Sequence, residues 1–182
     1  AWSDLSTQAS STNAATARTN VLGEATKLVN GLHELANRLQ NLRDSVDSDL
    51  QNYTNEINKY TAEIAQLNQQ IASSELGGTP ANDLRDQRDL MTDQLASIID
   101  VRVTEKPNGT TIVSMGAMVL VDSSDDFPIG SNVVNENGHA IHELVWRGTD
   151  VKLTNLNGEL YGLIQSRDEV LPRYIDELNT LT

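Results

Sequence analysis

The sequence predicts a mainly helical α+β fold, an elongated antiparallel helical bundle with a small antiparallel β module inserted. Three observations carry this prediction. A run of about fifty residues repeats its apolar side chains every three or four positions, a period of two begins after Asp100, and a helical pattern returns near the end of the chain. We therefore expect a helical rod domain at 1–100 and 154–182, and a β module at 101–153.

The long helix is predicted from apolar spacing within residues 21–75. Intervals of three and four alternate, which is the seam of a coiled coil, and a repeated four at Val46–Leu50 is a stutter that locally unwinds the supercoil. The polar residues 1–20 are expected to be irregular, apart from a short helical turn at Trp2–Leu5. The seam comprises Leu32, Leu35, Leu39, Leu42, Val46, Leu50, Tyr53, Ile57, Tyr60, Ile64, Leu67 and Ile71.

A short second helix is predicted over residues 81–99. The segment Leu76–Pro80 supplies the glycines and the proline that end the first helix. Asn82 or Thr79 is expected to cap the second helix, because both side chains can accept a hydrogen bond from an N–H of its first turn. Since the connection is short, the two helices should pack antiparallel.

The β module is predicted as an antiparallel set of strands. Lys106–Gly109 contains an Asn-Gly pair, which is a strong signal for a hairpin turn. We place strands at 101–105, 111–114, 118–121, 140–147 and, more weakly, 151–153, with residues 122–137 mostly loop.

The return helix is predicted over residues 158–182. Pro172 should kink or divide it, because proline lacks the backbone N–H and its ring clashes with the preceding turn. Strands and helices do not alternate along the chain, so a doubly wound sheet or a β/α barrel is not expected.

Composition excludes several classes of function. The net charge of −13, from 26 acidic and 13 basic residues, opposes binding to nucleic acid and to anionic membranes, which both attract clustered Lys and Arg. The chain has no cysteine, so disulfides, thiolate nucleophiles and zinc-thiolate sites are excluded. No apolar run approaches the ~20 residues that span a bilayer.

No constellation of residues predicts a catalytic, metal or cofactor site. The phosphate-binding pattern GxGxxG is absent. His139 and His142 are three apart in a predicted strand, so they point to opposite faces, and His33 lies on the long helix. The acidic loop 122–126 lacks the spacing of a calcium loop. We expect structural or surface roles for these residues.

The charged segment that opens the second helix, Pro80-Ala-Asn-Asp-Leu-Arg-Asp-Gln-Arg-Asp89, resembles the hallmark segment of the FlgK family, flagellar hook-associated protein 1. Segments 1–5, 64–71, 158–164 and 167–172 are also similar to that family. Arg85 or Arg88 is expected to bridge to carboxylates on the long helix or on a neighbouring subunit. The motif residues expected to make contacts between helices or subunits are Asn82, Asp83, Leu84, Asp86, Arg88 and Asp89.

The resemblance implies a non-enzymatic structural protein of the bacterial flagellum, without cofactors, that joins hook to filament. Its implied partners are other copies of itself, the hook protein and a second junction protein, and it is exported to the cell exterior by flagellar type III secretion. Because the family's terminal stacking regions are not recognised, we expect an internal fragment of its N-terminal half. The residues alone leave open a coiled-coil adhesin or effector-type module that binds a ligand through its β head.

Overall fold

The structure is a computed structural model that describes residues 12–136, 138–153, 156 and 158–181. The chain divides into two compact units, one formed by the residues up to Arg43 with those from Glu169 onward, and the other by Asp44–Asp168. The predicted boundaries near residues 101 and 153 fall inside the second unit. The predicted helical turn at Trp2–Leu5 lies outside the described residues.

The fold is mainly α with antiparallel strands, as predicted. The described helices are α1 (Thr12–Ser74), a 3₁₀ turn (Glu75–Gly77), α2 (Asn82–Ala96), α3 (Gly158–Gln165), a π-helical turn (Ser166–Val170) and α4 (Leu171–Thr180). The expectation of irregular structure up to residue 20 is wrong from Thr12 onward. Residues 12–20 contain neither glycine nor proline, and extending an existing helix adds one hydrogen bond for each residue fixed.

In the connection between α1 and α2, a glycine ends the first helix and a carboxylate caps the start of the second. Gly78 adopts the left-handed conformation at φ 81°, and its N–H donates to the Glu75 carbonyl at 2.8 Å. The predicted caps Asn82 and Thr79 are wrong, because α2 starts after Ala81 without a side-chain cap of its own. The Glu75 carboxylate accepts from the Ala81 N–H at 2.8 Å instead, which places a negative charge at the positive end of α2.

The strands form two antiparallel sheets. They are β1 (Arg102–Glu105), β2 (Thr111–Met115), β3 (Met118–Asp122), β4 (Asp125–Asp126), β5 (Ile129–Glu136) and β6 (His139–Trp146). The first four form one sheet in the order β1-β2-β3-β4, and β5 pairs with β6. The predicted loop at 122–137 is therefore wrong, because β5 pairs with β6 along its whole length. The weaker predicted strand at 151–153 is a single bridge from Lys152 to Val145.

The helices and strands of the second unit share one core. Leu50, Ile57 and Ile64 of α1 are fully buried in a cluster with Val113 of β2 and Leu144 of β6. Each sheet therefore covers its apolar face with the long helix.

The π-helical turn Ser166–Val170 immediately precedes the turn that contains Pro172. Proline cannot donate to the carbonyl four residues earlier, so the local hydrogen-bond pattern changes here. The turn also carries Arg167, whose side chain is 2% exposed.

Candidate functional site on the long helix

The second half of α1 buries polar side chains beside its apolar ones. Leu50, Ile57, Ile64 and Ile71 are fully buried and recur every seven residues. A second heptad set, shifted along the helix and also buried, is polar: Asp47, Thr54, Thr61 and Asn68. Buried polar groups need hydrogen-bond partners, so these side chains identify where α1 makes specific contacts.

Asn68 is the centre of the first contact, which we call the Asn68 cluster: Asn68, Arg88, Gly109, Thr111 and Ser123. Its amide nitrogen donates to the carbonyl oxygens of Thr111 at 3.1 Å and Ser123 at 2.8 Å. Its amide oxygen accepts from the Thr111 N–H at 3.0 Å and the Thr111 hydroxyl at 3.1 Å. Asn68 is fully buried, and it binds both backbone groups of Thr111, the first residue of β2.

Arg88 of α2 completes this cluster. Its Nη1 donates to Asn68 Oδ1 at 3.1 Å and to the Gly109 carbonyl at 2.6 Å. The nearest carboxylate oxygens, on Glu105 and Asp89, are 3.8 and 3.9 Å from its nitrogens. Its Nε is buried without a hydrogen-bond partner. Arg88 is therefore held mainly by neutral acceptors.

Arg85 makes a separate ion pair next to the cluster. Its Nε and Nη2 bind the two carboxylate oxygens of Glu75 at 2.7 and 2.8 Å, and its Nη1 binds Glu105 at 2.8 Å. The hydrogen bonds from Arg85 and from the Ala81 N–H lower the pKa of Glu75 to about 2. The same pair raises the pKa of Arg85.

Gly109 lies directly against that ion pair. It has φ +79°, and a Cβ at this position would lie 2.5 Å from Glu75 Oε2 and 2.7 Å from Arg85 Nη2. The backbone conformation therefore favours glycine, and a Cβ would displace the ends of the Glu75 and Arg85 side chains. The Asn-Gly pair that predicted a turn here thus also brings the Gly109 carbonyl to Arg88.

The second contact is the Asp47 cluster: Asp47, Gln51, His142, Arg167 and Asp168. Asp47 Oδ1 accepts from the His142 N–H at 2.9 Å and from Arg167 Nη1 at 2.6 Å, and its Oδ2 lies 2.6 Å from His142 Nδ1. Arg167 also donates to the His142 carbonyl at 2.5 Å and to both Asp168 oxygens. Both backbone groups of His142 are thereby satisfied by charged side chains.

Two charges are compensated inside this cluster. Burial alone would raise the pKa of Asp47, but the hydrogen bonds from His142 and Arg167 outweigh it and lower that pKa. Burial opposes the charge of Arg167, yet Asp168 and Asp47 raise its pKa. The cluster is thus an ion pair with a carboxylate on either side of the guanidinium.

Asn58 makes the third contact of α1 with a strand. Its Nδ2 donates to the Ile129 carbonyl at 2.7 Å, and its Oδ1 accepts from the Ile129 N–H at 2.7 Å. One amide therefore occupies both outward groups of the first residue of β5. With Asn68 and Asp47, it anchors strand backbones to α1.

The described residues were also searched for metal-binding groups and for membrane-spanning helices. Within residues 12–136, 138–153, 156 and 158–181, no three His, Asp or Glu side chains are grouped to hold a metal ion. In the same part of the chain, no helix has the length and apolar character needed to cross a membrane.

Comparison with known proteins decides the family. The family model described as the flagellar hook-associated protein FlgK helical domain matches residues 1–182. The chain belongs to this family. The flagellar hook junction protein FlgK from Burkholderia pseudomallei has a similar structure, with a TM-score of 0.75 and 30% identity over 90% of this chain. The match covers 31% of that protein, so the chain spans about a third of its length. No curated protein matches the sequence.

The structure divides the motif of this FlgK helical domain into two faces. Asn82, Asp83, Asp86 and Asp89 are exposed, Leu84 is half-buried and Arg88 is buried. Arg88 binds an amide on α1 rather than a carboxylate, and Arg85 binds Glu75 in the turn that follows α1. A role for the exposed motif residues in subunit contacts stays a prediction.

The predicted seam of the FlgK helical domain is buried unevenly. Leu50, Ile57, Ile64 and Ile71 are fully buried, whereas Leu32, Leu39, Val46, Tyr53, Tyr60 and Leu67 are partly buried. Leu35 and Leu42 are 45% and 50% exposed, so the described part of the chain leaves them largely uncovered. The predicted seam therefore has two positions that the described part of the chain does not bury.

The sequence prediction missed the residues that anchor the strands. Asp47, Asn58, Asn68 and Arg167 are polar, and polar residues beside a seam are usually taken as solvent-facing. One signal was available for part of the set. Asp47 and Asn68 belong to a polar series with a period of seven next to the apolar one, and a coiled-coil position that stays polar is a mark of specific contacts.

Proposed function

We propose that this chain is a structural part of the bacterial flagellum that connects the hook to the filament by packing against neighbouring subunits. The observation that carries the proposal is the match of the whole chain to the helical domain of the hook-associated protein FlgK. The likeness to the flagellar hook junction protein FlgK supports the same place in the flagellum. The proposed role is non-enzymatic.

The geometry of the anchoring residues suits a rigid subunit. Asn68 and Asp47 direct their hydrogen bonds to strand backbones, and Arg167 joins Asp47 to the π-helical turn. Buried hydrogen bonds between elements favour one arrangement of those elements. A subunit that packs side by side with others needs outer surfaces that keep one shape, and these contacts supply that constraint.

The proposed partners follow from this role. They are further copies of the chain, the hook protein and a second junction protein, reached after export by flagellar type III secretion. The absence of cysteine supports export in an unfolded state, because no disulfide has to be reduced first. The acidic composition favours neither nucleic acid nor a membrane surface as partner.

The test is deletion of the gene in the bacterium that carries it, followed by electron microscopy of negatively stained cells and a swimming assay. We expect hooks without filaments and loss of swimming, both restored by the wild-type gene. A deletion strain with normal filaments would contradict the proposed connection. A strain that lacks hooks as well would place the protein earlier in assembly.

A further inference from the structure

Four asparagines of the chain are followed by glycine, at positions 30, 108, 137 and 157. In such a pair the backbone nitrogen of the glycine can attack the side-chain carbonyl carbon of the asparagine, because no Cβ on the glycine hinders the approach. Asn137 and Asn157 lie outside the described residues. The structure therefore allows the surroundings of Asn30 and Asn108 to be compared.

Asn30 lies with Gly31 in the interior of α1. Each backbone N–H inside an α-helix donates to the carbonyl four residues earlier. Turning the Gly31 nitrogen towards the Asn30 side chain breaks this hydrogen bond and distorts a continuous helix on both sides. We therefore expect the folded helix to protect Asn30 from this reaction.

Asn108 is exposed in the turn between β1 and β2, and Gly109 follows it at φ +79°. The side-chain oxygen of Asn108 accepts from the Thr110 N–H at 3.2 Å and from the Thr110 hydroxyl at 2.7 Å. Two donors on a carbonyl oxygen stabilise the negative charge that this oxygen gains when a nucleophile attacks its carbon. The turn thus polarises the Asn108 amide for attack.

The other groups that take part in the reaction are weakly held. The Gly109 N–H donates to the Lys106 carbonyl at 3.0 Å, which is a bond of the turn and not of a helix or strand. Among the described residues, none binds the amide nitrogen of Asn108. An open cleft of about 290 Å³ lies beside Asn108, lined by Pro107 and by residues 78–80 of the connection between α1 and α2. Water can therefore reach the amide, and ammonia can leave.

We propose that Asn108 is a site of spontaneous deamidation in the folded chain. The Gly109 nitrogen gives up its proton to the solvent and forms a bond to Cγ of Asn108. The bond from Cγ to Nδ2 breaks, and Nδ2 takes up a proton and leaves as ammonia. Water then opens the cyclic imide on either side of its nitrogen, which gives aspartate or isoaspartate at position 108. Both products carry a negative charge that asparagine lacks.

The reaction acts on the Asn68 cluster through Gly109. Arg88 Nη1 binds the Gly109 carbonyl at 2.6 Å, and isoaspartate inserts a methylene group into the main chain directly before Gly109. This insertion displaces the carbonyl from Arg88. It also moves Gly109 relative to the ion pair of Glu75 and Arg85, against which it packs. We therefore expect the isoaspartate form to be less stable than the fresh chain.

The first test compares the two asparagines within one sample. The purified chain is incubated in mildly alkaline buffer, and peptide mapping by mass spectrometry measures the conversion at each position. We expect Asn108 to convert at least about tenfold faster than Asn30, because the helix adds the loss of its hydrogen bonds to the barrier at Asn30. In urea the two rates should become similar, since both residues precede glycine. Equal rates in the folded chain would overturn the proposal.

A second test removes one donor from the Asn108 oxygen. Thr110→Val deletes the hydroxyl and keeps the backbone N–H. Losing one donor to a developing oxyanion slows acyl transfer in enzymes by about a hundredfold, and we expect at least about fivefold slower conversion at this exposed turn. Thr110→Ser, which keeps a hydroxyl, and Thr104→Val, on the exposed strand β1, should convert at the rate of the unchanged chain. Circular dichroism checks the fold, and a Thr110→Val chain that is folded and as fast as Thr104→Val would overturn the activation by Thr110.

The effect on the Asn68 cluster is measured by urea denaturation of fresh and aged chain. Labelling with an isoaspartyl methyltransferase identifies the isoaspartate fraction. Asn108→Asp is the matched control, because it carries the new charge without the added methylene group. We expect a lower urea midpoint for the isoaspartate form than for Asn108→Asp. Equal midpoints would overturn the displacement of the Gly109 carbonyl from Arg88.

Discussion

The Asn68 cluster and the Asp47 cluster lie about six helical turns apart on α1, and each holds a strand backbone beside a buried arginine. Arg88 in the first is 3% exposed, and within hydrogen-bond distance it meets the neutral oxygens of Asn68 and Gly109. Arg167 in the second is 2% exposed and meets the carboxylates of Asp47 and Asp168. Neutral polar groups therefore surround the buried arginine of the Asn68 cluster, whereas carboxylates surround that of the Asp47 cluster.

This difference determines what each cluster responds to. A neutral amide that bonds backbone groups has no proton to gain or lose in the accessible pH range, so its contribution should be insensitive to pH and salt. A buried ion pair depends on both charges, and removing one of them leaves the other uncompensated. Four substitutions or titrations test the comparison, from the largest expected effect to the smallest.

Arg167→Met should give the largest loss of stability. The substitution leaves Asp47 buried without its guanidinium and removes the donor to the His142 carbonyl. Breaking a buried ion pair from one side lowers the free energy of unfolding by about 4 kcal/mol. The measurement is urea denaturation followed by circular dichroism. Arg102→Met, on the exposed strand β1, is the matched control and should change stability by less than about 0.5 kcal/mol.

Asn68→Ala should come next. It leaves the N–H and the hydroxyl of Thr111 and the carbonyl of Ser123 without the amide that satisfies them. The Thr111 carbonyl keeps its hydrogen bond from the Ser123 N–H. The expected loss is about 3 kcal/mol, since each unsatisfied buried group costs about 1 kcal/mol or more. Asn52→Ala on the exposed face of the same helix is the control, and it should be neutral. A loss equal to that of the control would show that the cluster does not hold the sheet.

The order of helices and strands could be predicted because the signals are local. A period near 3.5 in residues 21–75 and a period of two after Asp100 each lie within one segment, as do the glycines and the proline that end α1. Strand β5 could not be predicted in this way. Its sequence, Ile-Gly-Ser-Asn-Val-Val-Asn-Glu, is largely polar, and it forms a strand because it pairs with β6 and because Asn58, 71 residues away, holds Ile129.

The anchoring residues were hidden for the same reason. Asn68 meets Thr111 across 43 residues, and Asp47 meets Arg167 across 120. No single-sequence pattern reports which distant backbone group a polar side chain will satisfy. The helix start shows the same limit, because Ala81 is bonded by Glu75, a residue of the preceding turn, and not by the nearby Asn82. The periodic polar series Asp47 to Asn68 marked the buried face but not its partners.

Gly109→Ala should lower the free energy of unfolding by an intermediate amount. It tests the Asn68 cluster at the turn that supplies the Gly109 carbonyl to Arg88. A left-handed residue with a Cβ costs about 1 kcal/mol, and the added methyl also meets the Glu75–Arg85 pair at 2.5 to 2.7 Å. We expect a total loss of about 2 kcal/mol. Gly138→Ala is the control, because Gly138 has φ +86° but nothing within 4 Å of the added Cβ. The difference between the two variants isolates the contact, and equal losses would show that Gly109 is required for its conformation alone.

The smallest effect, and the sharpest test of the comparison, is the response to acid. The pKa of Asp47 is lowered in the folded chain, so the stability it contributes is fully present above the unfolded pKa of about 3.9 and is lost as the pH falls through the folded value. Glu75 behaves in the same way, and its folded pKa of about 2 extends the loss from about pH 4.5 down to about pH 2.

Unfolding measured at a series of pH values between about 6 and 2 should therefore show a free energy that falls with acidity below about pH 4.5. Glu75→Gln should flatten this slope from about pH 4.5 downward, and Asp47→Asn should flatten it below about pH 3.9, because in each variant the group that takes up the proton is gone. Asn68→Ala should lower the whole curve and keep its slope, because no proton is involved at that cluster. If Asn68→Ala flattened the curve as much as Asp47→Asn does, the two clusters would share one electrostatic network, and the division between dipoles and charges would fail.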